Sequence, residues 1–189
     1  MDSLRRTEKR GERSAIILPQ RTLLVLCGSA GAGKSTFAQK LIEAHKEPGF
    51  QPTMIVSSDH CRALVCDDEN NQQVNRDSFD LFYYIIHKRM FHGRFTIADS
   101  TALKPEARLR LLELAQRHRY HQCLLIFNTP PLVCLQRDQG RHRFVGEQVI
   151  AYHTGLLQQT LLDAPNEGWE QIHVLGEDQK DVHITVTVD

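Results

Sequence analysis

Residues 23–36 read Leu23-Leu24-Val25-Leu26-Cys27-Gly28-Ser29-Ala30-Gly31-Ala32-Gly33-Lys34-Ser35-Thr36. The first five form a continuous apolar run that ends in glycine, which is typical of a buried parallel strand. The next eight satisfy the pattern GxxxxGK[ST] in full, and the polar and apolar residues from Ser35 to about His45 alternate as in an amphipathic helix. A strand, a glycine-rich turn and a helix in this order predict a phosphate-binding loop.

The residue types in this loop suit a nucleotide. Glycines let backbone N–H groups approach phosphate oxygens, and the start of the following helix directs its positive dipole end at the same anion. Lys34 can place a charge on the β and γ phosphates, and the Ser35 hydroxyl can ligate Mg²⁺. We therefore predict that ATP and Mg²⁺ bind to Gly28, Ser29, Ala30, Gly31, Ala32, Gly33, Lys34, Ser35 and Thr36.

Outward from the loop, short apolar runs alternate with amphipathic stretches. The pattern predicts strands at 53–56, 95–98, 123–127 and 171–175 and an edge strand at 183–188, with helices at 76–92, 105–118, 132–141 and 146–162. Strands that alternate with helices favour right-handed βαβ units and a mostly parallel sheet with helices on both faces. We expect a flexible, charged tail over residues 1–13 and one α/β domain over 14–189.

Two carboxylates follow predicted strands at the edge where ligands of such sheets bind. Asp59 can accept the proton of an attacking hydroxyl, and Arg62, one helical turn later, can hold a phosphate of the acceptor. Asp99, at the end of the third strand of the sheet, can join the Mg²⁺ shell. Each has a structural alternative, since aspartate commonly caps a helix and Arg62 can be a solvated surface residue.

A basic segment lies between the last two predicted helices. Arg137, Arg141 and Arg143 surround Gly140, which predicts a mobile lid whose arginines stabilise the charge of phosphoryl transfer. The alternative is a solvated basic loop. Arg108 and Arg110 lack such a context and are interpreted as helix surface. The ten histidines form neither HxH nor HExxH, so we interpret them as surface or core residues.

Composition excludes several other classes. The formal net charge is zero and the pI about 7.1, which argues against a protein that coats long nucleic acid but not against one that grips a strand end. The five cysteines form no CxxC pair, and no stretch approaches the roughly 20 apolar residues of a membrane span. We expect a cytoplasmic protein with reduced thiols and no membrane contact.

Together these segments resemble a known family. The chain is similar to the kinase module of bacterial polynucleotide kinase-phosphatase (Pnkp) and, more distantly, to phage polynucleotide kinase. The resemblance covers about residues 15–175 and rests on the phosphate-binding loop, the lid, and three further segments: Val56-Ser57-Ser58-Asp59-His60-Cys61-Arg62, Val65-Cys66-Asp67-Asp68-Glu69-Asn70 and Lys104-Pro105-Glu106-Ala107-Arg108.

The resemblance implies an adenylate-kinase-like P-loop NTPase fold with central strand order 2-3-1-4-5, and an ATP-dependent kinase of polynucleotide 5′-OH ends. Asp59 would be the general base, Ser58 and Arg62 would hold the acceptor phosphate, and Arg137 and Arg141 would reach the donor phosphates. The family's third strand usually ends in Asp-Ala-Thr-Asn, whereas this chain has Asp99-Ser100-Thr101-Ala102. A kinase without the family's other modules is implied, working beside a separately encoded phosphatase or ligase.

Two alternatives stay open at this stage. Kinases of small hydroxylated metabolites share the loop, the acceptor carboxylate and the arginine lid. A non-catalytic ATP-binding switch would need only the loop, although Asp59 and the lid arginines then have no purpose. The sequence indicates neither RNA over DNA nor the preferred nucleoside triphosphate, the oligomeric state or the pathway.

Overall fold

The computed structural model describes residues 15–46, 49–140, 145–176 and 182–187. The predicted tail at 1–13, together with Arg141, Arg143 and Val188, lies outside the described residues. The strands are β1 (Ala15–Pro19), β2 (Thr22–Gly28), β3 (Ile55–Ser57), β4 (Thr96–Asp99), β5 (His121–Phe127), β6 (Gln171–Leu175) and β7 (His183–Thr187). The α-helices are α1 (Lys34–Ala44), α2 (Ser58–Cys66), α3 (Asn75–Phe91), α4 (Pro105–Arg117), α5 (Pro131–Gln139) and α6 (Glu147–Asp163).

Five parallel strands form the central sheet in the order β3-β4-β2-β5-β6. Counted from the strand that precedes the glycine-rich loop, this order is 2-3-1-4-5, so the predicted α/β P-loop fold is confirmed. The second of these strands begins two residues later than predicted, because Pro52 starts a turn of 3₁₀ helix over Pro52–Met54. The carboxyl ends of parallel strands lie at one edge of the sheet, and the predicted site residues lie at or just after the ends of β2, β3 and β4.

Strand β2 divides the core into two layers because its side chains alternate. Leu23, Val25 and Cys27 face a layer built from α3, α4 and α6, which contributes Phe82, Ile86, Met90, Leu111, Leu112, Ala115 and Leu157. Leu24 and Leu26 face the opposite layer, which contains Ala38, Leu41, Ile42, Cys134 and Ile150 from α1, α5 and α6. Helices therefore cover both faces of the sheet, as a buried parallel sheet requires.

A second, two-stranded sheet differs from the expectation for the last strand. Strand β7 was expected at the edge of the sheet, but it pairs in parallel with β1, which the sequence analysis did not predict. Ile16, Leu18 and Ile184 of this small sheet are buried in the same layer as Leu24 and Leu26. Strand β1 was missed because its partner lies at the far end of the sequence. No helix of the described residues has both the length and the apolar character needed to span a membrane.

Candidate active site

One cavity of about 820 Å³ at the carboxyl edge of the sheet is lined by residues predicted for both substrates. The cavity reaches from the glycine-rich loop, past the ends of β3 and β4, to the faces of α3 and α4. The structure brings together here Lys34, Ser35, Ser58, Asp59, Arg62 and Asp99. These residues come from three different strand ends, which meet only because the strands are parallel neighbours.

The glycine-rich loop has the geometry of an anion cradle. Gly31 and Gly33 have φ of 75° and 100°, in the left-handed region that favours glycine. A Cβ at Gly31 would lie 2.4 Å from the carbonyl oxygen of Cys134, so no side chain fits there. Lys34 Nζ donates to the carbonyl oxygens of Gly28 at 2.9 Å and Ser29 at 2.7 Å. The loop thus encloses a buried ammonium group at the start of α1, an arrangement that fits phosphate oxygens.

Arg137 reaches the same loop from the last turn of α5. Its Nη1 donates to the carbonyl oxygens of Gly31 and Ala32, at 3.4 Å each. The neighbouring Asp138 is fully buried, and its carboxylate accepts the backbone N–H groups of Val145 and Gly146 at 3.0 Å each. Asp138 therefore ties the end of α5 to the start of α6, on either side of the predicted lid. Arg141 lies outside the described residues.

His153 of α6 also contacts the loop, and sequence reasoning missed it. Its Nδ1 lies 3.4 Å from the backbone nitrogen of Ala30, whose N–H it accepts, and 3.5 Å from Ser29 Oγ. Burial, and secondly the charge of Lys34, lowers the pKa of this ring to about 4. The ring is therefore neutral near pH 7, as an acceptor must be. No motif marks His153, because it lies more than 100 residues from the loop in sequence.

Asp59 and Arg62 form an ion pair on the acceptor side of the cavity. Arg62 Nη1 donates to Asp59 Oδ1 at 2.7 Å. The α2 cap is Ser57, whose hydroxyl accepts the N–H of His60, so the capping alternative for Asp59 is not what the structure has. The Asp59 side chain is 42% exposed, whereas that of Arg62 is 4% exposed, so the solvated alternative for Arg62 is also wrong.

Arg62 is fixed by partners beyond Asp59. Nη1 donates to the carbonyl oxygen of Glu69 and Nη2 donates to Asn75 Oδ1, at 2.9 Å each. Its buried Nε has no hydrogen-bond partner among the described residues. Three segments of the chain, namely α2, the turn that follows it and the start of α3, thus converge on one guanidinium group.

Asp99 ends β4 inside the cavity and is 6% exposed. The N-cap of α4 is Lys104, and no side chain of the described residues caps that helix, so Asp99 is not its cap. The loop after Asp99 is bound to the glycine-rich loop, since Gly28 donates its N–H to Thr101 O at 2.9 Å. Ala102 occupies the left-handed region at φ 46°, where an alanine is strained and an asparagine is better tolerated.

Arg108 stabilises this strained turn through hydrogen bonds, and its position differs from the sequence interpretation. It was interpreted as helix surface but is fully buried, and its Nη1 donates to the carbonyl oxygens of Ala102 at 3.2 Å and Leu103 at 2.8 Å. Its Nε donates to both carboxylate oxygens of Glu167 at 3.0 Å. The helical period contained the signal, because positions 108, 111 and 115 share the inward stripe of α4.

The oxygen groups at the carboxyl edge fit a magnesium ion. The Ser35 hydroxyl and the Asp99 carboxylate both line the cavity, and oxygen ligands of these kinds suit Mg²⁺. Across the part of the chain that the structure describes, no three His, Cys, Asp or Glu side chains form a cluster that could hold a metal ion by itself. The fit is therefore that of an ion bound together with a phosphate group.

A glycine-rich loop around a buried lysine, in a parallel sheet of this strand order, defines a P-loop kinase-like nucleotide-binding protein. The sequence agrees with this class. The chain belongs to the AAA domain family (AAA_33), whose pattern matches residues 23–160. No curated protein matches the sequence.

Solved structures share the fold at low sequence identity. The structure of the Pnkp1/Rnl/Hen1 RNA repair complex matches with a TM-score of 0.64 and 18% identity, over 83% of this chain and 49% of that one, so this chain spans about half its length. APS kinase CysC of Mycobacterium tuberculosis, in complex with AMPPNP and APS, matches with a TM-score of 0.56 and 14% identity, over 85% and 90% of the two chains. Shikimate kinase of Acinetobacter baumannii, in complex with shikimate, matches with a TM-score of 0.53 and 16% identity, over 84% of this chain and 86% of that one.

Proposed function

We propose that the protein transfers the γ-phosphate of ATP to the 5′-OH end of RNA or DNA. The observation that carries the proposal is the Asp59–Arg62 pair, which faces the same cavity as Lys34 and the glycine-rich loop. A protein that only binds ATP has no need of a carboxylate and a fixed guanidinium group opposite its phosphate loop. Proteins that share the fold act in kinase reactions on small molecules and occur in an RNA repair complex, which leaves the acceptor to be argued from the cavity.

In the proposed step, Asp59 accepts the proton of the acceptor hydroxyl as its oxygen attacks the γ-phosphorus. The new O–P bond forms while the bond to the β–γ bridging oxygen breaks, and ADP leaves with that electron pair. Lys34 and Arg137 supply positive charge on the donor side, where negative charge develops on the transferred group. Ser35 and Asp99 would hold Mg²⁺, which neutralises phosphate charge when bound.

Arg62 and Ser58 would bind the phosphate on the 3′ side of the acceptor nucleoside. Arg62 is already oriented by Glu69 and Asn75, so little side-chain entropy is lost when a phosphate binds. The pair with Arg62 also keeps the Asp59 carboxylate in one orientation. A role in the repair of nucleic-acid ends, with a phosphatase or a ligase as partner, is supported by the resemblance and by the RNA repair complex among the similar structures.

The decisive assay measures transfer from γ-labelled ATP to a 5′-OH oligonucleotide and, in parallel, to a panel of small alcohols that includes shikimate and APS. We expect label on the oligonucleotide. Turnover of a small alcohol with an unlabelled oligonucleotide would overturn the proposal in favour of a metabolite kinase. No transfer to any acceptor, with ATP still bound, would favour a nucleotide-binding switch.

The role of Asp59 is tested in the same assay with Asp59→Ala. A positioned general base contributes about two to four decades in rate, so kcat should fall by that factor while the Kd for ATP stays within about twofold. Asp77→Ala is a matched control, because Asp77 is an exposed aspartate in the first turn of α3 and does not line the cavity. Unchanged kcat for Asp59→Ala would remove Asp59 from the mechanism.

A further inference from the structure

One face of α3 leads away from the proposed acceptor site. Asn75, Phe79, Tyr83 and His87 are four residues apart and therefore lie along one side of the helix. Asn75 begins this row by holding Arg62, and the rings of Phe79 and Tyr83 are 6.1 Å apart. The first three residues of the row line the active-site cavity. The row thus forms a path that starts at the acceptor arginine and runs along α3.

At the third position of this path, Arg110 of α4 covers the ring of Tyr83. Its guanidinium carbon lies 3.8 Å from the ring centroid, which is a close cation–π contact. An exposed ion pair with Asp80, at 3.7 Å, steadies the same group. Arg110 makes no hydrogen bond to any described residue, so its N–H donors are available to a ligand. The sequence interpretation of Arg110 as helix surface is correct for its 56% exposure but misses its place at the cavity.

Arg110 also marks the junction of two cavities. A second cavity of about 580 Å³ lies between α3 and α4, and it shares Tyr83 and Arg110 with the active-site cavity. Its other lining residues include Tyr84, His87 and Arg117. A ligand that leaves the active site along α3 therefore passes Arg110 before it reaches this groove. Aromatic rings interleaved with cations are typical of surfaces that bind single-stranded nucleic acid.

The distance along α3 between Asn75 and Tyr83 indicates how long the ligand must be. Positions 75 and 83 are separated by about 12 Å along the helix axis, at a rise of about 1.5 Å per residue. Asn75 contacts Arg62 and Tyr83 contacts Arg110, so a ligand that contacts both arginines must extend along this part of α3. A small sugar acid or cyclic alcohol is too short, whereas a dinucleotide is long enough.

We propose that Arg110, held against the Tyr83 ring, binds the second phosphate of the acceptor strand, counted from its 5′-OH end. This inference rests on the proposed function and specifies its substrate as an acceptor of at least two nucleotides with two phosphates. The groove beyond Arg110 has no charge surplus, because Asp80 and Glu113 offset Arg110 and Arg117. The contact is therefore local, in keeping with the zero net charge of the chain.

The test compares two acceptors that differ by one nucleoside and one phosphate: adenosine 3′-monophosphate and the diadenosine dinucleotide that carries a 3′-phosphate. For the wild-type protein we expect KM for the dinucleotide to be about tenfold lower, as one charge-assisted contact provides. Arg110→Gln should make the two KM values equal. Lys88→Gln is the control, because Lys88 lies over the adjacent Tyr84 ring, at 5.4 Å from its centroid, but lines neither cavity.

Two further variants separate the ring from the charge. Tyr83→Phe keeps the ring under Arg110 and should keep the tenfold difference, whereas Arg110→Lys keeps the charge but loses the planar stack and should lose most of it. Unfolding midpoints equal to that of the wild type show that the variants are folded.

The outcomes distinguish the two proposals. If the wild-type protein phosphorylates both acceptors with equal KM, or if Arg110→Gln retains the tenfold difference, the role of Arg110 is wrong and the kinase proposal stands. If neither acceptor is phosphorylated and an oligonucleotide is not labelled either, the kinase proposal fails and the role of Arg110 fails with it.

Discussion

The donor and acceptor sides of the cavity are built in different ways. The donor side is nearly contiguous, since residues 28–36 supply the cradle, the lysine and the serine. The acceptor side is assembled from α2, α3 and the loop between β4 and α4, and its central guanidinium group has partners up to 13 residues away. A contiguous site is encoded in one motif, whereas an assembled site depends on packing. Substitutions on the acceptor side should therefore affect stability and acceptor binding more strongly than they affect the Kd for ATP.

The largest effect is expected where the acceptor side depends on a distant partner. Arg108→Met leaves the Glu167 carboxylate buried without its ion pair, which typically costs about 3–5 kcal/mol of unfolding free energy. Urea denaturation measures this loss. Arg117→Met, on the same helix but in an exposed pair with Glu113, should change the free energy of unfolding by less than about 0.5 kcal/mol. Equal losses of unfolding free energy for the two substitutions would show that the buried pair does not stabilise the acceptor side.

A smaller effect separates the two sides directly. Arg62→Lys keeps the charge but loses the planar group that joins Asp59, Glu69 and Asn75. We expect kcat/KM for the acceptor to fall by roughly 10- to 100-fold, as hydrogen bonds to a charged group suggest, with the Kd for ATP unchanged. Steady-state kinetics and ATP titration measure the two quantities, and Arg76→Lys, at an exposed position of α3, is the control. Weaker ATP binding by the same factor would assign Arg62 to the donor side and would contradict the division of the cavity into separate donor and acceptor sides.

The smallest effect concerns a donor-side residue that is not contiguous. The folded-state pKa of His153 is about 4, below its ordinary value of 6.5, so the unfolded chain binds the proton first as the pH falls. The wild type should lose stability between pH 7 and pH 5 by on the order of 1 kcal/mol more than His153→Gln, allowing for the solvent around a half-buried ring. Urea denaturation at the two pH values measures the difference. If the free energies of unfolding of the two proteins change equally between the two pH values, the proposal that His153 is neutral and bound to the loop is wrong.

The sequence predicted the parts of the fold that local patterns encode. The central strands and the helices around them follow from the alternation of apolar runs with helical stripes, which is a local signal, whereas the order of the strands in the sheet was implied by the family resemblance. The glycine-rich loop was equally readable, because the φ angles of Gly31 and Gly33 favour glycine at both positions and the contact with Cys134 leaves no room for a side chain at Gly31.

What the sequence did not predict depends on distant partners. The burial of Arg108 needs Glu167, the contact of His153 needs the glycine-rich loop, and β1 needs β7. In each case the partner lies more than 50 residues away, where periodicity carries no information. Arg108 is the exception in part, because its place in the inward stripe of α4 could have been read from the helical period.

The small sheet of β1 and β7 has a consequence for how the chain reaches its folded state. Its register aligns Ala15 with His183, so the pairing closes a loop of nearly the whole described chain. Contacts of such high order carry a large entropy cost of closure and form late. During synthesis Ile16 and Leu18 leave the ribosome long before their partners Ile184 and Val186 are made. We therefore expect the five-stranded central sheet to assemble first and the sheet of β1 and β7 to form afterwards, which completes the core layer that contains α1.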